Sequence, residues 1–180
     1  MNREQVELAT LKVGEIFKIA EYDFIVLEQQ DGRTAVVSKT LMAEDIVFGE
    51  SKDYGTSNIR ALIEKDIQPI IENAVGAENV VEHEVNLTSV DMQNEYGTCR
   101  CKVRPITFDE AREHNDLLVN KGLSDWWWTC TPWSTEERGW KYSVAVVSPS
   151  GGIRSRSYDF FSGLRPFCIL KSNIFVSKGE

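Results

Sequence analysis

The chain has 180 residues, a formal net charge of −8 and 42% hydrophobic residues. A phosphate-binding surface needs clustered Lys and Arg, so the acidic balance makes nucleic acid a poor partner. No run approaches the roughly 20 apolar residues that span a bilayer, which predicts no membrane association.

The length suits one domain, residues 1–180. The start, Met1-Asn2-Arg3-Glu4-Gln5, is polar and shows no apolar signal segment, which predicts a cytoplasmic chain. In that compartment Cys99, Cys101, Cys130 and Cys168 are expected as free thiols. Residues 1–11 read as a short helical or frayed start. Alternation over Glu15–Ile19, the apolar run Asp23–Leu27, the turn signal Gln30-Asp31-Gly32 and the run Arg33–Val37 predict a three-stranded meander within 12–50. Ser57 is placed to cap a helix whose face carries Ile59, Leu62 and Ile63. A second helical stretch around Pro69 runs to about Asn73, and Gly76 ends it. Asn79–Leu87 and Cys101–Ile106 read as extended. Thr107 with Glu110 forms a capping-box pattern for a helix over Phe108 to about Asn120, closed by Gly122. The last third reads as β structure: Trp126–Cys130, Trp140–Ser148, a turn at Pro149–Gly152, Ile153–Tyr158, a break at Gly163, and Leu164–Val176.

Two stretches draw functional interest. Trp126, Trp127 and Trp128 are consecutive, so on a strand Trp127 faces opposite to its neighbours. Either all three are core, or one lies on a binding surface; Trp127 and Trp128 are assigned structural roles. In Ile153–Phe161, Arg154, Arg156 and Tyr158 share one strand face, with serines between them. Tyr and Arg are enriched in binding hot spots. Trp133, Trp140, Tyr142 and Phe160 would extend that surface. An ordinary hairpin with a solvated Arg edge is the competing reading.

Four blocks in order carry a family resemblance: Ser57–Arg60, Trp127–Pro132, Val146 through Pro149-Ser150-Gly151, and Gly163-Leu164-Arg165-Pro166. They resemble an uncharacterised domain family of Firmicutes and their phages, with a Trp-Trp-Leu-Arg-Ser-Pro-like block and a terminal Gly-Val-Arg-Pro block. The resemblance covers about residues 12–176. Thr129, Cys130 and Thr131 stand where the family often has Leu-Arg-Ser, so any role of that Arg is missing here. The terminal layout is similar to the wider C-type-lectin-like fold. There a Trp-rich strand, a hairpin and a Gly-x-Arg strand close a small twisted sheet beside two helices. The expected architecture is therefore α+β, C-type-lectin-like over 51–176, preceded by the meander. Arg165 is expected to hold backbone carbonyls or a carboxylate within the domain.

The resemblance to lectins implies calcium-binding Glu-Pro-Asn or Gln-Pro-Asp and Trp-Asn-Asp motifs, and this chain contains none of them. Resemblance to formylglycine-generating enzymes implies two cooperating cysteines, for which Cys130 and Cys168 are the candidates; their apolar neighbours read as core. Cys99-Arg100-Cys101 with His83 or His114 lacks the second pair that structural zinc uses. His114 with Cys99 or Cys130 has no catalytic frame, and no phosphate-binding glycine loop occurs. No cofactor and no metal are expected. The leading reading is a non-catalytic binding module of a phage or gut Firmicute that recognises a protein or a glycan. The alternatives are an intracellular phage effector that inhibits a host defence protein, and a thiol- or metal-dependent enzyme of the formylglycine-generating type. A virion location is the alternative to the cytosol.

Overall fold

A computed structural model describes residues 3–179 and shows an α+β chain. Within the predicted helical or frayed start, residues 1 and 2 lie outside the described residues, β1 (Gln5–Glu7) is extended, and only Leu8–Thr10 is helical, as a single 3-10 turn. The meander comprises β2 (Ile16–Ile19), β3 (Tyr22–Gln30) and β4 (Arg33–Ser38). Asp31 and Gly32 take φ of 52° and 73° at its tight turn, as an Asp-Gly hairpin favours. β5 (Ala43–Val47) leads through Phe48 into the helical segment. Ser57 Oγ accepts the Arg60 N–H at 3.1 Å and starts α1 (Asn58–Leu62). A π-helical turn, Ile63–Ile67, joins it to α2 (Gln68–Val75), so the two predicted helices form one continuous rod. Ile59, Ile63, Ile67 and Ile71 are buried along it.

Next come β6 (His83–Asn86), β7 (Thr98–Cys101) and β8 (Val103–Arg104). The Thr107–Glu110 capping box is present and starts α3 (Phe108–Glu113). The predicted helix to Asn120 is shorter than expected. It breaks at His114 (φ −109°, ψ 16°), resumes as α4 (Asn115–Leu118) and stops well before Gly122. Here the Asn115 amide is drawn to Gly151 O at 2.9 Å and the Asn120 amide to Lys39 O at 2.8 Å.

The remainder is β9 (Trp127–Pro132), β10 (Ser143–Val147), β11 (Ile153–Ser157), β12 (Phe161–Leu164), β13 (Phe167–Lys171) and β14 (Phe175–Lys178). Gly163 does not break the chain. It lies inside β12, where a Cβ would stand 2.5 Å from a Leu41 methyl. The glycine marks a close approach.

One sheet has the order β1-β14-β2-β3-β4-β13-β8, another β11-β10-β9-β12-β5, and β6 and β7 pair separately. The meander does not stand apart, because β13 pairs with β4 and β14 with β2. Period-two alternation lets the large sheet serve two cores. Phe24, Val26 and Val36 enter one, while Ile25, Leu27 and Val37 enter the other. Among the described residues no helix is long and apolar enough to cross a membrane.

Candidate functional site

The five-stranded sheet carries the residues of interest, and its register decides where each one points. Directly opposed residues on antiparallel strands share a face. Val144 pairs with Arg156 and Val146 with Arg154, while Val146 also pairs with Trp128. Val144, Val146 and Trp128 are fully or almost fully buried in the larger core. Arg154, Arg156 and Tyr158 therefore lie on the core-facing side of the sheet, at its margin. Arg154 is exposed there. Arg156 is half-buried. Its Nη1 donates to Phe161 O at 3.0 Å and Ser162 Oγ at 2.8 Å, and its guanidinium lies 5.4 Å from the Trp126 ring centre. Tyr158 is half-buried against the larger core, with its ring 5.6 Å from Tyr142. Both Phe48 N and Gly49 N donate to Tyr158 O, so the chain leaving β5 meets the chain leaving β11.

The consecutive tryptophans divide as their alternation requires. Trp128 is wholly buried, meets Phe48 edge-on at 5.4 Å and donates Nε1 to Ile46 O at 2.7 Å. Trp127 is wholly buried on the opposite face, in the smaller core with Leu118 and Phe167. Trp126 is half-buried beneath Arg156. Arg165 is also wholly buried. Its Nε donates to Ser38 O and its Nη1 to Leu118 O, both at 2.7 Å, and its guanidinium stacks 4.8 Å from the Trp127 ring centre.

Four exposed aromatic side chains lie near the ends of β10 and β11, while a fifth, Phe175, is 71% exposed on β14 of the other sheet. Trp140 is 43%, Tyr142 53%, Phe160 62% and Phe161 60% exposed. Half-buried Trp133 stands 6.3 Å from Trp140. The loop that bears this tryptophan pair is fixed by groups the sequence reading did not single out. Lys52 is 2% exposed and donates to Ser134 O at 2.7 Å, with Glu95 at 3.3 Å. Asp91 accepts from Ser134 Oγ and from Arg138 Nη1. The Ser134 and Ser89 hydroxyls, opposed by slight burial and aided by Arg138, hold the Asp91 carboxyl down to about 2. Both Lys52 and Asp91 look like ordinary surface charges in sequence; their partner Ser134 lies far along the chain.

The other candidate groups sit elsewhere. All four cysteines are free and buried. Burial pushes the Cys101 thiol up to about 11 and those of Cys130 and Cys168 to about 12, so these groups are protonated at neutral pH. His83 belongs to a separate network. Its Nε2 accepts from Arg104 Nε at 3.0 Å, and Arg104 forms a two-point pair with Glu110 at 2.6 and 2.9 Å. Among the described residues no group of three His, Cys, Asp or Glu side chains is arranged to hold a metal ion. The chain matches no known family model, no curated protein and no solved structure.

Proposed function

We propose that the chain is a non-catalytic recognition module that binds a protein or a glycan through the aromatic margin of its five-stranded sheet. The observation that carries this reading is the exposure of Trp140, Tyr142 and Phe160 beside the same end of the β10–β11 hairpin, with Trp133 next to Trp140, Tyr158 next to Tyr142 and Arg154 exposed on β11. Aromatic rings supply large contact area at low entropic cost, and an adjacent Arg adds directional hydrogen bonds. Large apolar side chains left in water at one place on a protein mark a contact surface. The bonds from Lys52 and Asp91 pre-order the tryptophan loop, which lowers the entropy lost on binding.

The C-type-lectin-like reading and the kinship with the Firmicutes and phage family belong to the same proposal. Support comes from the arrangement of the Trp-rich strand β9, the hairpin β10–β11 and the Gly163-bearing strand β12 in one sheet, with two helical segments beside the cores.

The test uses wild type and a triple variant, Trp140→Ala, Tyr142→Ala and Phe160→Ala. Both are applied to a glycan array and to a pull-down from bacterial host lysate. Ligands retained by wild type should be lost by the triple variant. Equal retention by both proteins would overturn the proposal.

A further inference from the structure

The hairpin β10–β11 holds an unbroken register over five pairs, from Ser143–Ser157 to Val147–Ile153. Its bonding phase follows from the bonds at its two ends. Ser148 N donates to Gly152 O, and Tyr158 N donates to Tyr142 O. In an antiparallel pair, bonded and non-bonded positions alternate. Residues 154 and 156 therefore bond inward to β10. Ile153, Ser155 and Ser157 turn their backbone groups outward, toward the open margin of the sheet. The outward acceptors at the two ends are occupied: Ile153 O takes Arg154 Nη1, and Ser157 O takes Phe160 N. Both backbone groups of Ser155 are left without a backbone partner among the described residues.

Edge strands are normally blunted by bulges, proline or inward charge. The opposite margin, β5, follows that rule, since Asp45 sits at φ 53° between exposed Glu44 and half-buried Ile46. β11 has no proline, no positive φ and no register shift; of its two core-side arginines, Arg156 is held by Phe161 O and Ser162 Oγ, and Arg154 stays exposed at the open rim. Its outward backbone is flanked by small serines, which leave room for a neighbour's side chains.

We infer that β11 is a docking edge for an extended peptide strand that places a carboxylate opposite Arg154. This names the mode of binding for the recognition surface proposed above and rests on that reading. Main-chain bonds to Ile153 N, Ser155 N, Ser155 O and Ser157 N supply the affinity of strand addition. A cross-strand neighbour of Arg154 comes within about 5 Å between Cβ atoms, close enough for an ion pair. Arg154 has no carboxylate partner among the described residues and is exposed, whereas Arg156 is already held internally. Beyond the end of β11, Tyr158, Tyr142 and Phe160 offer an apolar seat to the same incoming strand. A second copy of this chain is a poor occupant. Antiparallel self-pairing about Ser155 sets Arg154 against the partner's Arg156, and like charges directly opposed repel.

The probes are fluorescein-labelled eight-residue peptides of alternating Thr and Val with a central Glu, Lys or Ser, read by anisotropy. A fourth probe is the Glu peptide with alternate amides N-methylated. Ser155→Pro removes the outward N–H without touching a bond to β10, and Arg154→Glu reverses the rim charge. Wild type should bind the Glu peptide at least about tenfold more tightly than the Lys peptide. N-methylation and Ser155→Pro should each abolish that binding, and Arg154→Glu should invert the Glu–Lys preference even if the proline variant folds poorly. Absence of Glu-peptide binding, equal binding of the N-methylated probe, or an unchanged preference in Arg154→Glu would overturn the inference. Failure of the parent reading looks different. There the aromatic triple variant keeps its lysate and glycan ligands, while the peptides still bind wild type and lose Ser155→Pro.

Discussion

Arg165 lies wholly inside the protein with no carboxylate beside it among the described residues; two carbonyl oxygens and the face of Trp127 receive its charge. Burial lowers its pKa to about 9, so the guanidinium remains charged at neutral pH. Its Nη2 has no hydrogen-bond partner among the described residues. The two carbonyls belong to Ser38, at the end of β4, and Leu118, at the end of α4, so one side chain ties the large sheet to a helix. Arg165→Ala should destabilise the protein by about 3 kcal/mol, because it leaves two buried acceptors unpaired and opens a cavity. Arg165→Met should cost less, since it fills the space and removes a desolvated charge. Urea unfolding of the three proteins checks this, and an unchanged midpoint for the alanine variant would refute the structural role.

At the scale of elements, His83 on β6, Arg104 on β8 and Glu110 on α3 form one network that joins three segments. His83 Nδ1 lies 3.0 Å from Val81 O, which fits a neutral ring that donates there and accepts from Arg104 at Nε2. Burial first, and the Arg104 charge second, hold the imidazole pKa below 6.5. The unfolded chain then binds a proton more readily than the folded one. Stability should fall as pH drops from about 6.5 toward the lowered folded-state value. His83→Gln, which can still accept from Arg104, should flatten that slope in melting curves between neutral pH and mild acid. The Glu110 carboxyl is raised by burial but lowered on balance by Arg104 and Thr107, so its contribution is lost only at still lower pH. Half of this network is legible in the sequence: Thr107 and Glu110 announce the capping box. The Arg104 and His83 contacts are not, because they depend on how β8 and β6 meet in space. The meander was readable for a similar local reason, as alternation and Asp31-Gly32 act within a few residues. The start of the chain was not, since β1 becomes a strand by pairing with β14, its Gln5 lying opposite Ser177. The candidate surface shows the same division. Spacing placed Arg154, Arg156 and Tyr158 on one face, but only the pairing with Val144 and Val146 reveals that this face turns toward the core.

Over the whole molecule, aromatic residues do two separable jobs. Trp127 and Trp128 fill opposite cores on either side of β9, and each is sealed from water. Trp140, Tyr142 and Phe160 remain in contact with solvent, at a margin where the sheet runs out of partners. A residue that stabilises the fold must lose exposure on folding, and one that binds a ligand must keep it until the ligand arrives. The two sets should therefore respond oppositely to truncation. Trp127→Ala or Trp128→Ala should lower stability by about 4 kcal/mol, through lost transfer energy and an uncollapsed cavity. Trp128→Ala also strands the Ile46 carbonyl that its Nε1 serves. Trp140→Ala and Phe160→Ala should shift stability by no more than about 0.5 kcal/mol, as exposed substitutions do. Denaturant curves on the four single variants separate these outcomes. A large loss of stability from the Trp140 or Phe160 change would mean that the aromatic margin is part of the core. The rings would then be structural, and the surface would have no free aromatic area to offer a ligand.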